Sequence, residues 1–138
     1  MKQPKNCLLI DDDSDDQEIF ITAAAEVNPT IICQVVSDGN DALKLLNETS
    51  ELPDLIFLDI NLPKMDGFEI LIHLKRNQRL RGIPVIVYST TRDESQIAKA
   101  VKLGASGFVT KAAHYHSLCK ILQHFLLDES EGGVETEF

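Results

Sequence analysis

Basic residues are in short supply: 13 Lys and Arg stand against 22 Asp and Glu, giving a formal net charge of −9. Nucleic acid rewards an excess of Lys and Arg along its phosphates, so this charge balance disfavours a nucleic-acid partner and favours a basic or neutral one. Cysteine is sparse too. Cys7, Cys33 and Cys119 are odd in number, far apart in the chain and set in apolar stretches, a pattern of reduced core thiols rather than a disulfide framework. The cytoplasm is the expected compartment. Long apolar runs are missing: no segment approaches the ~20 residues that cross a bilayer. The run Cys7–Ile10 behind Lys2 and Lys5 is too short for the core of a signal peptide. Neither export nor membrane attachment is expected.

What is present is ordinary globular composition, 43% apolar and 25% charged over 138 residues. A chain of that length fits one domain, since domains commonly run to about 100–200 residues, and it is long enough to bury a sizeable core. After Leu127 the sequence turns acidic and Gly-containing with little to bury, so residues 1–127 are expected to fold and 128–138 to form an acidic flexible tail.

Short β-rich apolar runs occur at Cys7–Ile10, Ile31–Val36, Leu55–Leu58, Val85–Tyr88 and Gly107–Val109, each followed by a helix-like stretch. Runs apolar at nearly every position suit strands buried on both faces, as in a parallel sheet between two helical layers. Ser14 with Gln17 and Asp93 with Gln96 have capping-box spacing, which places helix starts just after the first and fourth strands. The first helix would bury Ile19, Phe20, Ala23, Ala24 and Val27, and the last Tyr115, Leu118, Leu122 and Phe125. Gly104 reads as a helix stop and Pro84 as the entry to the fourth strand.

In a parallel α/β sheet the functional crevice lies at the carboxyl ends of the strands. Asp11 and Asp12 follow the first run, Asp59 the third, Ser89 the fourth, and Thr110 and Lys111 the fifth. Carboxylates gathered at one edge repel one another unless a cation sits among them, and an oxygen-only set with room for water suits Mg²⁺. A divalent cation beside Lys111 would neutralise charge on a transferring phosphoryl group, with Asp59 as nucleophile and Ser89 as a hydrogen-bonding hydroxyl.

These positions resemble the receiver domains of two-component signalling, including the small chemotaxis response regulator. The resemblance rests on Leu-Leu-Ile-Asp-Asp-Asp (8–13), Leu-Asp-Ile-Asn-Leu-Pro-Lys-Met-Asp-Gly (58–67), Val-Ile-Val-Tyr-Ser-Thr (85–90) and Gly-Phe-Val-Thr-Lys (107–111), and spans the chain through the last helix. It implies a doubly wound, flavodoxin-like (βα)5 fold of the α/β class, with a five-stranded parallel sheet in the order 2-1-3-4-5. It implies Mg²⁺ held by Asp11, Asp12, Asp59 and the backbone carbonyl of Asn61, with Asp59 as the phosphoacceptor. Ser89 would be the switch hydroxyl, Lys111 the lysine that contacts the phosphoryl group, and Phe108 the switch aromatic that turns inward when Ser89 moves. Pro63 and Gly67 match the loop after the phosphoacceptor. The donor would be a sensor histidine kinase or a phosphotransfer protein, and the fourth helix, fifth strand and fifth helix would present the signal to a downstream protein. Without an output domain in the sequence, a stand-alone regulator acting through protein contacts is expected, a phosphoacceptor rather than an enzyme of substrate turnover.

Two departures stand out. The family lysine is usually followed by proline, often in a cis bond, whereas Ala112 and Ala113 follow Lys111. A non-proline cis bond costs about 3–4 kcal/mol, so a trans peptide or a strained loop is expected there. Tyr88-Ser89-Thr90-Thr91 is richer in hydroxyls than usual, and Thr91 is expected to tune the lifetime of the phosphorylated state.

Other readings fit less of the sequence. An EF-hand starting at Asp11 fails because Asp16 and Thr22 stand where Gly and Glu are needed. His114 and His116 are two apart with no cysteine at zinc-site spacing. A haloacid-dehalogenase-type phosphohydrolase would use Asp11 as nucleophile and leave Asp59 unexplained. A phosphorylation-independent adaptor would leave the intact set of chemical residues without a purpose.

Overall fold

The computed structural model describes residues 3–111 and 114–127. Each apolar run is a strand and each following stretch a helix: β1 (Asn6–Ile10), α1 (Ser14–Val27), β2 (Ile32–Val36), α2 (Gly39–Glu48), β3 (Leu55–Leu58), α3 (Gly67–Arg76), β4 (Val85–Ser89), α4 (Glu94–Lys102), β5 (Gly107–Thr110) and α5 (Tyr115–Leu126). The sheet is parallel throughout, in the order β2-β1-β3-β4-β5. This is the doubly wound, flavodoxin-like arrangement expected, and its strand order reverses direction between β1 and β3.

Side chains alternate along a strand, and here both faces are dry. Cys7, Leu9, Leu55, Phe57, Ile86, Tyr88 and Val109 meet Phe20, Ala23 and Ala24 of α1 and Leu118 and Leu122 of α5. Leu8, Ile10, Ile56, Leu58 and Val85 meet Ala42 and Leu46 of α2 and Ile70, Leu71 and Leu74 of α3. That two-sided burial is why β1, β3 and β4 read as unbroken apolar runs. The expectation does not hold for β2, where Ile32 is 62% exposed. An edge strand has a neighbour on one side only, and its flank is open.

Several local expectations are corrected by the packing. Ile19 is 46% exposed rather than part of the α1 core stripe, and Tyr115 is 39% exposed. The Tyr115 hydroxyl donates to Glu26 Oε1 at 2.8 Å and so ties α5 to α1 from the outside. The N-cap of α1 is Asp13, one residue before the expected Ser14; its Oδ1 accepts from the Asp16 N–H at 3.0 Å. Gln17 does not close a capping box, because its Nε2 donates to Asp11 O at 2.6 Å and Ser37 Oγ at 3.0 Å. Asp93 caps α4 as expected, accepting from the Ser95 N–H at 2.9 Å, but the Gln96 side chain does not return the bond that a capping box needs. The reciprocal capping box belongs to α3, between Asp66 and Glu69. Gly104, at φ +109°, ends α4 in the left-handed region that glycine alone tolerates cheaply.

Four basic residues, Lys75, Arg76, Arg79 and Arg81, fall close together in the sequence. Two of them close carbonyls: Lys75 donates to Arg81 O and Ile83 O at 3.1 Å, and Arg79 donates to Leu46 O at 2.8 Å and to Thr49 O. The expected tail, 128–138, and the Lys111–Ala112 peptide lie outside the described residues.

Candidate functional site

The loops that leave the carboxyl ends of β1, β3, β4 and β5 bring Asp11, Asp59, Ser89 and Lys111 to one edge of the sheet. Backbone pairing sets the positions: Asp59 N–H donates to Ile10 O at 2.9 Å and Asp11 N–H to Val36 O at 3.0 Å. Lys111 N–H donates to Ser89 O at 2.7 Å. Asp11 and Ser89 have no solvent exposure and Asp59 only 5%.

The Lys111 ammonium is the hub. Its Nζ lies 2.9 Å from Asp11 Oδ2, 2.8 Å from Asp16 Oδ2 and 3.0 Å from Asp59 Oδ2. One wall of its pocket is the Tyr88 ring, whose centroid is 5.3 Å away. Burial by itself would push the ammonium down, but the carboxylates of Asp16, Asp11 and Asp59 outweigh it and hold the group above its ordinary value. Asp11 is displaced upward, first by burial and against the pull of the Asp13 N–H and Lys111. The Tyr88 phenol, also buried, is pushed up to about 12.

Asp59 divides its oxygens between two partners. Oδ1 accepts from the Asn61 N–H at 2.9 Å, and Oδ2 faces Lys111. Asn61 also reaches Ser89, its Nδ2 donating to Ser89 Oγ at 3.2 Å, and the Thr91 N–H donates to the same hydroxyl at 3.3 Å. One buried hydroxyl therefore links the loop after β3 to the loop after β4. Phe108 is 1% exposed and packs with Ile60, Phe68, Val87 and Ala100, so its ring is already inward.

Gly67 explains how α3 approaches this loop so closely. A Cβ there would fall 2.3 Å from Ile60 Cα and 2.7 Å from Asp59 O, and the Gly67 N–H donates to Ile60 O at 3.1 Å. Only a residue without a side chain fits against that backbone.

Carboxylate oxygens of Asp11, Asp12 and Asp59 lie within 4.8 Å of one another, a grouping that suits a divalent cation. Asp11 Oδ2 supports that fit: it is fully buried and accepts no well-aligned hydrogen bond, although the Lys111 ammonium is beside it. Such an oxygen is costly unless something positive completes its surroundings. His114 and His116 are exposed and take no part in this cluster.

Sequence reasoning brought the five principal residues to this edge but gave Asp16 no part in it. The signal was available. Asp16 sits in the first turn of a helix that opens three residues after Asp11, and the Asp13 cap fixes how that turn is set against the sheet edge.

Residues 7–123 match the response regulator receiver domain family. Response regulator Rcp1 of Synechocystis sp. is 32% identical over 127 residues, covering 87% of this chain and 85% of Rcp1. The phosphorylated cyanobacterial phytochrome response regulator RcpA is 33% identical in a structural match with TM-score 0.80, covering 86% of this chain and 89% of RcpA. The Mn²⁺-bound form of Rcp1 gives TM-score 0.74 at 32% identity, over 87% and 90% of the two chains.

Proposed function

The chain belongs to the response regulator receiver family, and from that premise we propose that it accepts a phosphoryl group on Asp59 in a Mg²⁺-dependent step and signals by changing shape. The observation that carries this reading is Lys111: one ammonium within 3.0 Å of the Asp59 carboxylate, beside two further acids that suit a cation. Membership of the family sets aside the phosphohydrolase reading, which made Asp11 the nucleophile.

Asp11, Asp12 and Asp59, with the carbonyl of Asn61, would hold Mg²⁺, which when bound supplies positive charge against the phosphoryl oxygens. An Asp59 carboxylate oxygen attacks the phosphorus of a phosphohistidine donor; the P–N bond breaks and the leaving imidazole nitrogen keeps the electron pair. Lys111 turns from the carboxylates toward the incoming oxygens. Ser89, freed from Asn61, donates its hydroxyl to the phosphoryl group, and Phe108 holds the inward position that the resemblance associates with the switched form. Charge and acceptor oxygens added at one point then bias a two-state element.

The donor is a sensor histidine kinase or phosphotransfer protein. RcpA, named as a phytochrome response regulator, supports a light-sensing kinase as the class. That the match covers 85% of Rcp1 supports a stand-alone receiver, and a receiver of that kind would work in the cytoplasm and pass its signal to a downstream protein by contact. Among the described residues no helix is long and apolar enough to cross a membrane. The protein is a phosphoacceptor that loses the group by hydrolysis, not an enzyme of substrate turnover.

Incubation with a small acyl phosphate and Mg²⁺, followed by intact mass, tests this. One added phosphoryl group that needs Mg²⁺ and is lost in Asp59→Asn is the expected result. An unmodified wild-type protein under saturating donor and Mg²⁺ overturns it in favour of an adaptor that works without phosphorylation.

A further inference from the structure

At the far end of the sheet from the acidic edge, Cys7 of β1 and Cys33 of β2 are register partners in the parallel pair. Their Sγ atoms lie 3.4 Å apart, with the Cys7 thiol donating to Cys33. Paired strands run about 4.7–4.9 Å apart, inside the roughly 4.4–6.8 Å Cα separation that a disulfide accepts. Closing the two sulfurs to about 2.05 Å needs side-chain rotation and a small shift of a strand. β2 is an edge strand, hydrogen-bonded on one side only, so that shift disturbs a single ladder.

The two thiols are not equivalent. Cys7 is 1% exposed, whereas Cys33 is partly exposed on the sheet edge and reachable by a small oxidant. The shared hydrogen bond lowers the Cys33 thiol and, together with burial, raises that of Cys7. Cys33 is thus the attacking sulfur and Cys7 the resolving one.

We propose that Cys7 and Cys33 are a redox modification site, closing to an intramolecular disulfide on two-electron oxidation by a hydroperoxide. The Cys33 thiolate attacks one oxygen of hydrogen peroxide and the O–O bond breaks, leaving Cys33 sulfenic acid and hydroxide, which takes up the proton lost by Cys33. Cys7 sulfur then attacks the sulfenic sulfur: the S–S bond forms, the S–O bond breaks, and the hydroxyl departs as water with the Cys7 proton. Two thiols give up two electrons and two protons, and one peroxide becomes two waters.

The bond closes a loop that contains Asp11, Asp12 and all of α1, and it pins the edge strand to the strand that carries the acidic pair. Attack by an external thiolate on either sulfur breaks the S–S bond and returns both thiols, which makes this modification reversible.

The test treats the full chain with graded hydrogen peroxide, quenches, denatures, alkylates free thiols and reads intact mass with peptide mapping. Alkylatable thiols are expected to fall from three to one, the survivor being Cys119, and to return to three after dithiothreitol. Cys119→Ser keeps the Cys7–Cys33 bond, and Cys33→Ser forms no intramolecular disulfide. Three thiols still alkylatable after peroxide, pairing of either cysteine with Cys119, or over-oxidation of Cys33 with Cys7 left free each overturns the proposal. The decisive count is made on wild-type protein, so it stands whether or not a variant folds.

Discussion

Asp16 shares the Lys111 ammonium with Asp59: Nζ is 2.8 Å from Asp16 Oδ2 and 3.0 Å from Asp59 Oδ2. The Asp16 side chain is 33% exposed, against 10% for Lys111 and none for Asp11. A partly exposed pair contributes about 0–1 kcal/mol, so Asp16→Asn lowers stability by no more than about 1 kcal/mol. Lys111→Met leaves buried acids without a counter-charge and costs about 3 kcal/mol, the low end for a broken buried pair because one of the three carboxylates, Asp16, is part-exposed. Urea denaturation in the presence of chelator measures both. Equal losses for the two variants would mean that Lys111 is held by Asp16 alone.

The acidic cluster predicts opposite effects of neutralisation with and without metal. Asp12 is exposed and contributes an oxygen to a grouping within 4.8 Å, so in chelator Asp12→Asn relieves repulsion and raises stability by about 1 kcal/mol, roughly 4 °C in Tm. Mg²⁺ at about 100 times its Kd stabilises the native state by about 2.7 kcal/mol. That gain is expected for wild type, is reversed by chelator, and is lost in Asp11→Asn and Asp12→Asn. Thermal melts with and without Mg²⁺ decide it, and an undiminished Mg²⁺ shift in both variants would remove these carboxylates from the metal site.

How much of this was legible in the sequence depended on the range of the interaction. β1, β3 and β4 are buried on both faces, and burial of that kind writes itself as consecutive apolar residues, so strands and strand-end acids could be read directly. Ile19 and Tyr115 broke the pattern because a helix stripe says which residues are apolar, not where the neighbouring helix stops covering them. Asp13 displaced Ser14 as the cap of α1 since either side chain can accept from the first turn, and Gln17 was already taken by Asp11 O and Ser37. The Lys111–Asp16 contact joins residues 95 apart, and the Cys7–Cys33 contact joins adjacent strands whose register the sequence does not print.

Ser89 offers a separation of chemistry from signalling. Its buried hydroxyl accepts from Asn61 Nδ2 and the Thr91 N–H at 3.2 and 3.3 Å, so Ser89→Ala costs about 1 kcal/mol for the lost hydrogen bonding. The nucleophile, the acids and Lys111 are untouched, and phosphoryl gain by intact mass is expected within about threefold of wild type, well short of a lost oxyanion contact. What Ser89→Ala is expected to lose is the response: a phosphoryl mimic is expected to slow hydrogen exchange at β5 and α4 in wild type and to leave it at the resting rate in the variant. Identical exchange changes in the two proteins would show that the switch does not run through this hydroxyl.

Gly67 tests whether the loop after β3 tolerates any displacement. The added carbon of Gly67→Ala would sit 2.3 Å from Ile60 Cα and 2.7 Å from Asp59 O, both backbone atoms that cannot swing aside as a flexible side chain does. Either α3 moves outward, breaking the Gly67 N–H bond to Ile60 O, or the Asp59–Ile60 backbone moves toward the crevice. Overpacking of this kind costs about 1–3 kcal/mol. It also shifts Asp59 relative to Lys111, and a misplacement near 1 Å slows a positioned reaction by about 100-fold. Gly67→Ala is therefore expected to remain folded in urea titrations while losing most of its phosphoryl gain from a small donor. A variant destabilised by the same amount elsewhere, such as Leu46→Val in the α2 core, keeps that gain. Equal losses in the two would assign the effect to global stability and not to the position of Asp59.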